Sequence, residues 1–178
     1  GYVGLPLAVG LSKKYDVIGF DINSLRIEDL KNAKDVTNEL TKTDIACLKN
    51  IKLTFDENDL VEANQFIVTV PTPIKRNNDP DLSYLIKASE LVSKHIKKGT
   101  HIIYESTVYP GATEEVCLPI LQKNTNLEFN QDFFLGYSPE RINPGDKKHK
   151  LENIVKVTSG SNDEAAEFID DLYNSVID

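Results

Sequence analysis

A glycine turn at the start of the chain and an acidic residue at position 21 constrain the fold more than any other feature. Gly1-Tyr2-Val3-Gly4 has the spacing of the last two glycines of G-x-G-x-x-G, the turn that opens a dinucleotide-binding βαβ unit. Asp21 ends the apolar run Val17-Ile18-Gly19-Phe20, which is typical of the second strand of such a unit. The spacing therefore predicts a βαβ unit whose first helix points its N–H groups at phosphates.

The acidic residue at position 21 distinguishes between cofactors. A carboxylate at this strand end accepts hydrogen bonds from both ribose hydroxyls of an adenosine, whereas it repels the 2′-phosphate of NADP. NAD is therefore the predicted cofactor, bound by Gly1, Gly4 and Asp21. A methyltransferase is the alternative, because it also places a glycine-rich turn before a helix and an acid after the second strand. We also expect a strand and a further glycine to precede Gly1, so that the chain is part of a longer protein.

Composition and charge exclude several classes of partner. The 178 residues are 40% hydrophobic, enough for a packed core, and we expect one NAD-binding domain over residues 1–178. A net charge of −8 makes nucleic acids and anionic membranes poor partners. No apolar run approaches the roughly 20 residues that span a bilayer, and no signal peptide is visible, so a cytoplasmic location is expected. Cys47 and Cys117 lack the spacing of a zinc site or a disulfide framework.

Short apolar strands alternate with amphipathic helices along the chain. This alternation predicts an α/β fold with a Rossmann-like, doubly wound, mostly parallel sheet and helices on both faces. Ser24 and Asp44 are the expected N-caps of two helices, and Pro119 is expected to kink another. The predicted strands are residues 17–21, 65–70, 100–104, 132–137 and 153–157. The predicted helices are residues 5–14, 24–32, 56–63, 82–97, 111–123 and 163–177, with a short one that contains Ile45 and Leu48.

Polar residues follow three of these strands, where ligands of open α/β sheets bind. Thr72 and Thr107 each offer a hydroxyl that can bond a ribose, a phosphate or a water, or can simply cap a loop. Glu140 is either an acid–base or water-positioning carboxylate or a member of a surface ion pair. Arg141 can hold a phosphate or carboxylate, and Arg26 either meets the adenosine or lies on a solvated helix face.

Other reactive side chains are expected to be structural. Neither Cys47 nor Cys117 lies in an electropositive setting at a strand end, so neither is predicted to be a nucleophile. His95 and His101 have no partner pattern, and residues 147–150 are expected to form a solvated basic loop.

Four segments carry a resemblance to a known family. They are GYVGLPLAVGLSKKYDVIGFDIN, VTVPTPI followed by NNDPDLSYLIKASE, YESTVYPGATEEVCLPIL, and GYSPERINPGDKKHKLENIVKVTSG. Together they resemble the N-terminal half of the nucleotide-sugar 6-dehydrogenases, and most of all the branch that oxidises UDP-N-acetylhexosamines for capsule and O-antigen synthesis. The combination of SPERINPGD and STVYPG is specific, whereas the glycine turn is not.

The resemblance implies an NAD-dependent, two-step oxidation of the sugar C6 alcohol to a carboxylate. It implies that Tyr2 and Val3 line the pyrophosphate with their backbone and that Asp21 and Arg26 hold the adenosine ribose region. It also implies that Thr72 and Thr107 contact the cofactor and that Thr107 helps to position a water. Glu140 would lie beside the reacting carbon, and Arg141 and Ile142 would contact the nucleotide sugar.

One departure and several expected absences accompany the resemblance. UDP-glucose dehydrogenases usually carry a second glutamate near the position of Pro144, which counts against UDP-glucose as the substrate. The family's nucleophilic cysteine, its UDP-binding domain and the long helix of its homodimer are expected to follow Asp178. A UDP-glucose or hydroxyacid dehydrogenase and a non-catalytic nucleotide-binding module remain alternatives.

Overall fold

The structure, a computed structural model, describes residues 1–140 and 155–177, which fall into two compact units. The first contains residues 1–63 and 174–177, and the second contains residues 64–140 and 155–173. Both contain parallel strands joined by helical connections, so the predicted α/β class is confirmed. The strands are β1 (Val17–Phe20), β2 (Ile51–Thr54), β3 (Phe66–Val68), β4 (Thr100–Tyr104), β5 (Phe133–Tyr137) and β6 (Ser159–Gly160). The α-helices are α1 (Gly4–Leu11), α2 (Ser24–Lys31), α3 (Lys42–Cys47), α4 (Ser83–Ser93), α5 (Leu118–Lys123) and α6 (Asp163–Asn174).

The first unit pairs β1 with β2 in parallel, in a register that aligns Val17 with Ile51 and Phe20 with Thr54. Parallel strands need a long crossover, which α2 and α3 supply. The hydrophobic core lies between these strands and α1 and α2, and its buried members are Leu5, Val9, Ile27, Leu30, Leu48, Ile51 and Leu53.

β2 has no counterpart among the predicted strands, and two helices are capped by residues other than the predicted ones. β2 is only four residues long, and Lys52 interrupts it with a side chain that pairs with Asp59 and Glu62. The cap of α2 is Asn23, not Ser24, because the Asn23 side chain accepts the N–H of Arg26. Thr41, not Asp44, caps α3, while Asp44 completes a reciprocal capping box with it. The short helix predicted over residues 56–63 is a 3₁₀ helix over residues 57–62.

The second unit contains a four-stranded sheet in the order β3, β4, β5 and β6. The first three strands are parallel, and every residue of β4 is buried, which is typical of a parallel strand covered on both faces. The helix from residue 111 to 123 changes to a π-helical turn over Thr113–Cys117 before α5 begins. The wider turn precedes Pro119, whose ring clashes with a regular α-helical turn, so the predicted irregularity takes this form.

The last strand differs from the prediction of a strand over residues 153–157. Residues 155–158 have no regular structure, and residues 153 and 154 lie outside the described residues. The strand is Ser159–Gly160, which pairs antiparallel with Tyr137 and Gly136 of β5. Across the described residues, every helix is too short or too polar to traverse a lipid bilayer.

We expect the stability of the second unit, which contains His101, to fall as the pH drops below about 6.5, the usual pKa of an imidazole. His101 is buried, its ring stacks on Phe134 and Phe168, and burial lowers its pKa below the usual value. Below the usual pKa of an imidazole, the unfolded chain therefore binds a proton at His101 more readily than the folded chain does. Acidification then favours the unfolded chain, and the free energy of unfolding decreases. Denaturant unfolding at about pH 7.5 and about pH 5.5 should show a smaller loss for His101→Phe than for the unaltered protein. Equal losses would contradict this role for His101.

Candidate functional site

The glycine turn of the first unit leads directly into α1, which begins at Gly4. Val3 precedes the helix without a capping side chain, and the first turn contains no acidic residue. A Cβ placed at Gly1 would meet no atom within 4 Å. The N-terminal end of a helix carries a partial positive charge. In α1, Leu5 N donates to the carbonyl of Gly1 at 3.3 Å and Pro6 has no N–H, so the donors left for an anion belong to Gly4 and the turn before it. This end of α1 therefore has the properties that an anion such as a diphosphate requires.

Asp21 lies immediately after β1, as predicted. Its N–H donates to the carbonyl of Thr54 at 3.2 Å, which extends the pairing of β1 with β2 by one residue. Its Oδ1 accepts the N–H of Asn23 at 2.9 Å, so the chain turns around the carboxylate before α2 begins. This turn fixes a half-buried negative charge at the carboxyl end of β1.

Arg26 is buried, and the solvated helix face considered for it is wrong. Its Nη2 donates to Asp35 Oδ1 at 2.7 Å and to Thr37 Oγ1 at 3.0 Å. Asp35 also accepts the N–H groups of Glu39 at 2.8 Å and Leu40 at 3.0 Å. Burial by itself raises the pKa of Asp35, but these hydrogen bonds, that from Arg26 foremost, hold it well below its usual range. Arg26 Nη1 is buried without a hydrogen-bond acceptor among the described residues, which leaves a donor for an added ligand.

In the second unit, side-chain hydrogen bonds join the two predicted threonine segments. Thr72 Oγ1 donates to the carbonyl of Thr107 at 2.6 Å, and Ser106 Oγ donates to the carbonyl of Val70 at 2.6 Å. Backbone hydrogen bonds continue the pairing on either side of β4, from Glu105 N to Val68 O at 2.8 Å and from Ser138 N to Tyr104 O at 3.0 Å. The ends of β3, β4 and β5 therefore carry Thr72, Thr107 and the Ser138–Glu140 segment along one edge of the sheet.

A buried polar cluster, which is not among the predicted features, lies next to these residues. The Glu105 carboxylate forms an ion pair with Lys156 and accepts the Tyr173 hydroxyl at 2.7 Å. The side chains of Glu105 and Lys156 are 1% and 3% exposed. The signal was a lysine inside the apolar run Ile154-Val155-Lys156-Val157, where an unpaired ammonium would be costly.

The charges in this cluster influence one another. Burial raises the pKa of Glu105 above its usual value, and the ammonium of Lys156 and the hydroxyl of Tyr173 offset only part of that rise. Burial likewise raises the pKa of Tyr173 well above its usual value, with a contribution from Glu105. The carboxylate of Glu140 adds to both shifts, so it lies within electrostatic range of the cluster.

The remaining candidates divide into buried residues and residues outside the described part of the chain. Cys117 is fully buried and burial raises the pKa of its thiol, while Cys47 is half-buried. Arg141 and Ile142, together with Pro144 and residues 147–150, lie outside the described residues. Within residues 1–140 and 155–177, no group of three or more histidine, cysteine, aspartate or glutamate side chains is arranged to hold a metal ion.

Comparison with known proteins covers almost the whole chain. The UDP-N-acetyl-D-glucosamine 6-dehydrogenase of Pseudomonas aeruginosa is 56% identical over 177 residues, which are 99% of this chain and 42% of that protein. Protein CapL of Staphylococcus aureus is 54% identical over the same share of the chain and 42% of its own length. The chain therefore spans about two fifths of the length of these curated relatives.

Solved structures and a family comparison agree with these relatives. The structure of UDP-D-ManNAc dehydrogenase from Pyrococcus horikoshii superposes with a TM-score of 0.89 at 33% identity, over 99% of this chain and 43% of that one. Residues 1–177 match the NAD binding domain of the UDP-glucose/GDP-mannose dehydrogenase family. The predicted Rossmann-type fold, the predicted cofactor NAD and the resemblance to nucleotide-sugar dehydrogenases are thereby confirmed. The chain belongs to the UDP-glucose/GDP-mannose dehydrogenase family and is its NAD-binding domain.

Proposed function

We propose that this chain is the NAD-binding part of a UDP-N-acetylhexosamine 6-dehydrogenase that oxidises the sugar C6 alcohol to a carboxylate. The observation that carries the proposal is the 56% identity, over 177 residues, to a protein named UDP-N-acetyl-D-glucosamine 6-dehydrogenase. The activity belongs to a protein of the relatives' length, of which this chain supplies the cofactor-binding residues.

The first unit supplies the contacts to the adenosine and diphosphate of NAD. The backbone of Gly1, Tyr2, Val3 and Gly4 lines the diphosphate, because the positive end of the α1 dipole, which has no acidic residue in its first turn, favours an anion. The Asp21 carboxylate accepts the ribose hydroxyls, and its charge disfavours NADP. Arg26 contributes the donor that its ion pair with Asp35 leaves unused.

The second unit supplies the residues next to the reacting groups. Thr72 and Thr107 contact the cofactor, and Thr107, an exposed residue at the end of β4, orients a water. Glu140 acts as an acid–base or water-positioning carboxylate beside the sugar C6. Arg141 and Ile142 contact the nucleotide sugar. Bound NAD supplies the hydride acceptor for each of the two oxidation steps.

The nucleophile for the second oxidation comes from outside residues 1–178. Conversion of the aldehyde to the acid through a covalent intermediate requires an activated thiolate, which a buried thiol with a raised pKa does not provide. We therefore expect Cys117→Ala to retain kcat within about twofold, while the cavity costs some stability. Steady-state rates of NADH formation in the full-length protein test this. A loss of about 10³-fold, typical of a missing catalytic group, would contradict it.

The substrate is tested with the full-length protein and a panel of UDP-sugars. We expect NADH to form with one or more UDP-N-acetylhexosamines, at two NADH per sugar, and much more slowly with UDP-glucose. The ratio distinguishes a complete oxidation to the acid from a single step. No NAD reduction with any UDP-sugar would contradict the proposed function, and preference for UDP-glucose would reassign the substrate.

The similarity to CapL favours a role in supplying a uronic acid precursor for capsule or another surface polysaccharide. We further propose that the full-length protein is a cytoplasmic homodimer. Light scattering coupled to size-exclusion chromatography measures the assembly directly, and a monomeric mass would contradict this part of the proposal.

A further inference from the structure

The buried cluster of Glu105, Lys156 and Tyr173 joins three distant parts of the second unit. Glu105 follows β4, Lys156 lies in the segment before β6, and Tyr173 lies in the last turn of α6. Both oxygens of the carboxylate are occupied, Oε1 by the ammonium and Oε2 by the phenol. The ammonium also lies 5.2 Å from the centre of the Tyr173 ring, a cation–π distance. The three side chains therefore fix one another.

Stability alone does not account for an ion pair in this position. Two charges removed from water lose hydration energy that their attraction barely recovers, and apolar residues of similar volume serve a core equally well. The cluster lies in the interior, since Tyr104 and Ile169, its neighbours on β4 and α6, are fully buried. Such a cluster is better explained by the geometry that it imposes on its neighbours than by the free energy of folding that it contributes.

The neighbours of the cluster are the residues that the proposed function needs. Glu105 directly precedes Ser106 and Thr107, and the hydrogen bond from Thr72 Oγ1 reaches the carbonyl of Thr107. On the adjacent strand end, Ser138 N donates at 3.0 Å to the carbonyl of Tyr104, the residue before Glu105, and Glu140 follows two residues later. Displacement of the Glu105 side chain would therefore move both the Thr107 turn and the Glu140 segment.

We propose that the Glu105–Lys156–Tyr173 cluster is a positioning device for Thr107 and Glu140. Glu105, Lys156 and Tyr173 are positioning residues and do not themselves touch the substrate. This inference rests on the proposed function, because it assigns the cluster to the same reaction. It adds three residues to those for which the family resemblance implied a role in the site.

Two matched tyrosine variants of the full-length protein test the proposal. Tyr173→Phe removes the hydroxyl bonded to Glu105, and Tyr104→Phe removes a hydroxyl equally buried and 2.7 Å from Ser89 Oγ. Both should lower the melting temperature to a similar extent. Only Tyr173→Phe should lower kcat, by about tenfold, since small misplacements of reacting groups are costly, while the KM for NAD stays within about twofold.

A double variant separates positioning from charge balance. Glu105→Gln with Lys156→Met removes both charges, so that no unpaired ion remains buried. We expect its melting temperature to lie near that of the unaltered protein and its kcat to remain about tenfold lower. Recovery of kcat in the double variant, or equal kcat in the two tyrosine variants, would overturn the inference. If the unaltered protein reduces no NAD with any UDP-sugar, the proposed function fails, and the inference fails with it.

Discussion

Replacing Asp21 by alanine is expected to weaken NAD binding by roughly tenfold to a hundredfold. Hydrogen bonds to a charged group contribute about 1.5–3 kcal/mol, and each 1.4 kcal/mol corresponds to about tenfold in affinity. Removal of the negative charge should also bring the affinity for NADP closer to that for NAD, because the 2′-phosphate is no longer repelled. Calorimetric titration of the full-length protein with each cofactor measures both effects.

Asp16 provides the control for this variant. It is an exposed aspartate that precedes β1, whereas Asp21 follows the same strand. Asp16→Ala changes the net charge by the same amount and should leave the NAD affinity within about twofold, since a solvated charge is screened by salt. Equal effects of the two substitutions would mean that overall charge, rather than a contact at the strand end, determines the affinity.

Replacing Gly160 by alanine is expected to destabilise the second unit by about 3 kcal/mol or more, at the upper end of the usual cost of overpacking. A Cβ at this position would lie 2.2 Å from Ala166 N and 2.5 Å from Ala165 C, both backbone atoms of α6. Backbone in a packed helix cannot rotate away as a flexible side chain can. Denaturant unfolding of the full-length protein, followed by circular dichroism, measures the loss.

Gly99→Ala is the control, because Gly99 has a φ of +84° but open space where its Cβ would be. Its cost comes from the left-handed backbone alone and should be about 1–2 kcal/mol. If both variants unfold at the same denaturant concentration, the close approach of β6 to α6 is not what requires glycine at position 160.

The sequence predicts strands in which every residue is buried. It does not predict a short strand in which buried residues alternate with an exposed, charged one. β4 is predicted with the correct bounds because its five residues are all buried and its last three, Ile102, Ile103 and Tyr104, are large and hydrophobic. β2 was missed because Lys52 lies in the middle of only four residues and satisfies its charge on a neighbouring 3₁₀ helix. The caps of α2 and α3 were displaced because several adjacent residues have suitable side chains, and only the backbone geometry selects among them.

The same holds for the candidate site. The position of a residue just after a predicted strand places it at a strand end, but no local pattern predicts which side chains distant in the sequence pair with each other. Asp21, Thr72 and Thr107 follow their strands as expected because topology alone puts them there. The pairing of Arg26 with Asp35 depends on a loop without a recognisable pattern, and Glu105 and Lys156 are 51 residues apart. No spacing rule relates such residues, so their contacts emerge only from the folded structure.

A crystal structure of the protein with NAD would test the central claim most directly. The account predicts that the ribose hydroxyls of the adenosine bond the Asp21 carboxylate and that the diphosphate contacts the backbone N–H groups at the start of α1. A coenzyme bound away from this turn, or an Asp21 carboxylate without a contact to the ribose, would contradict it.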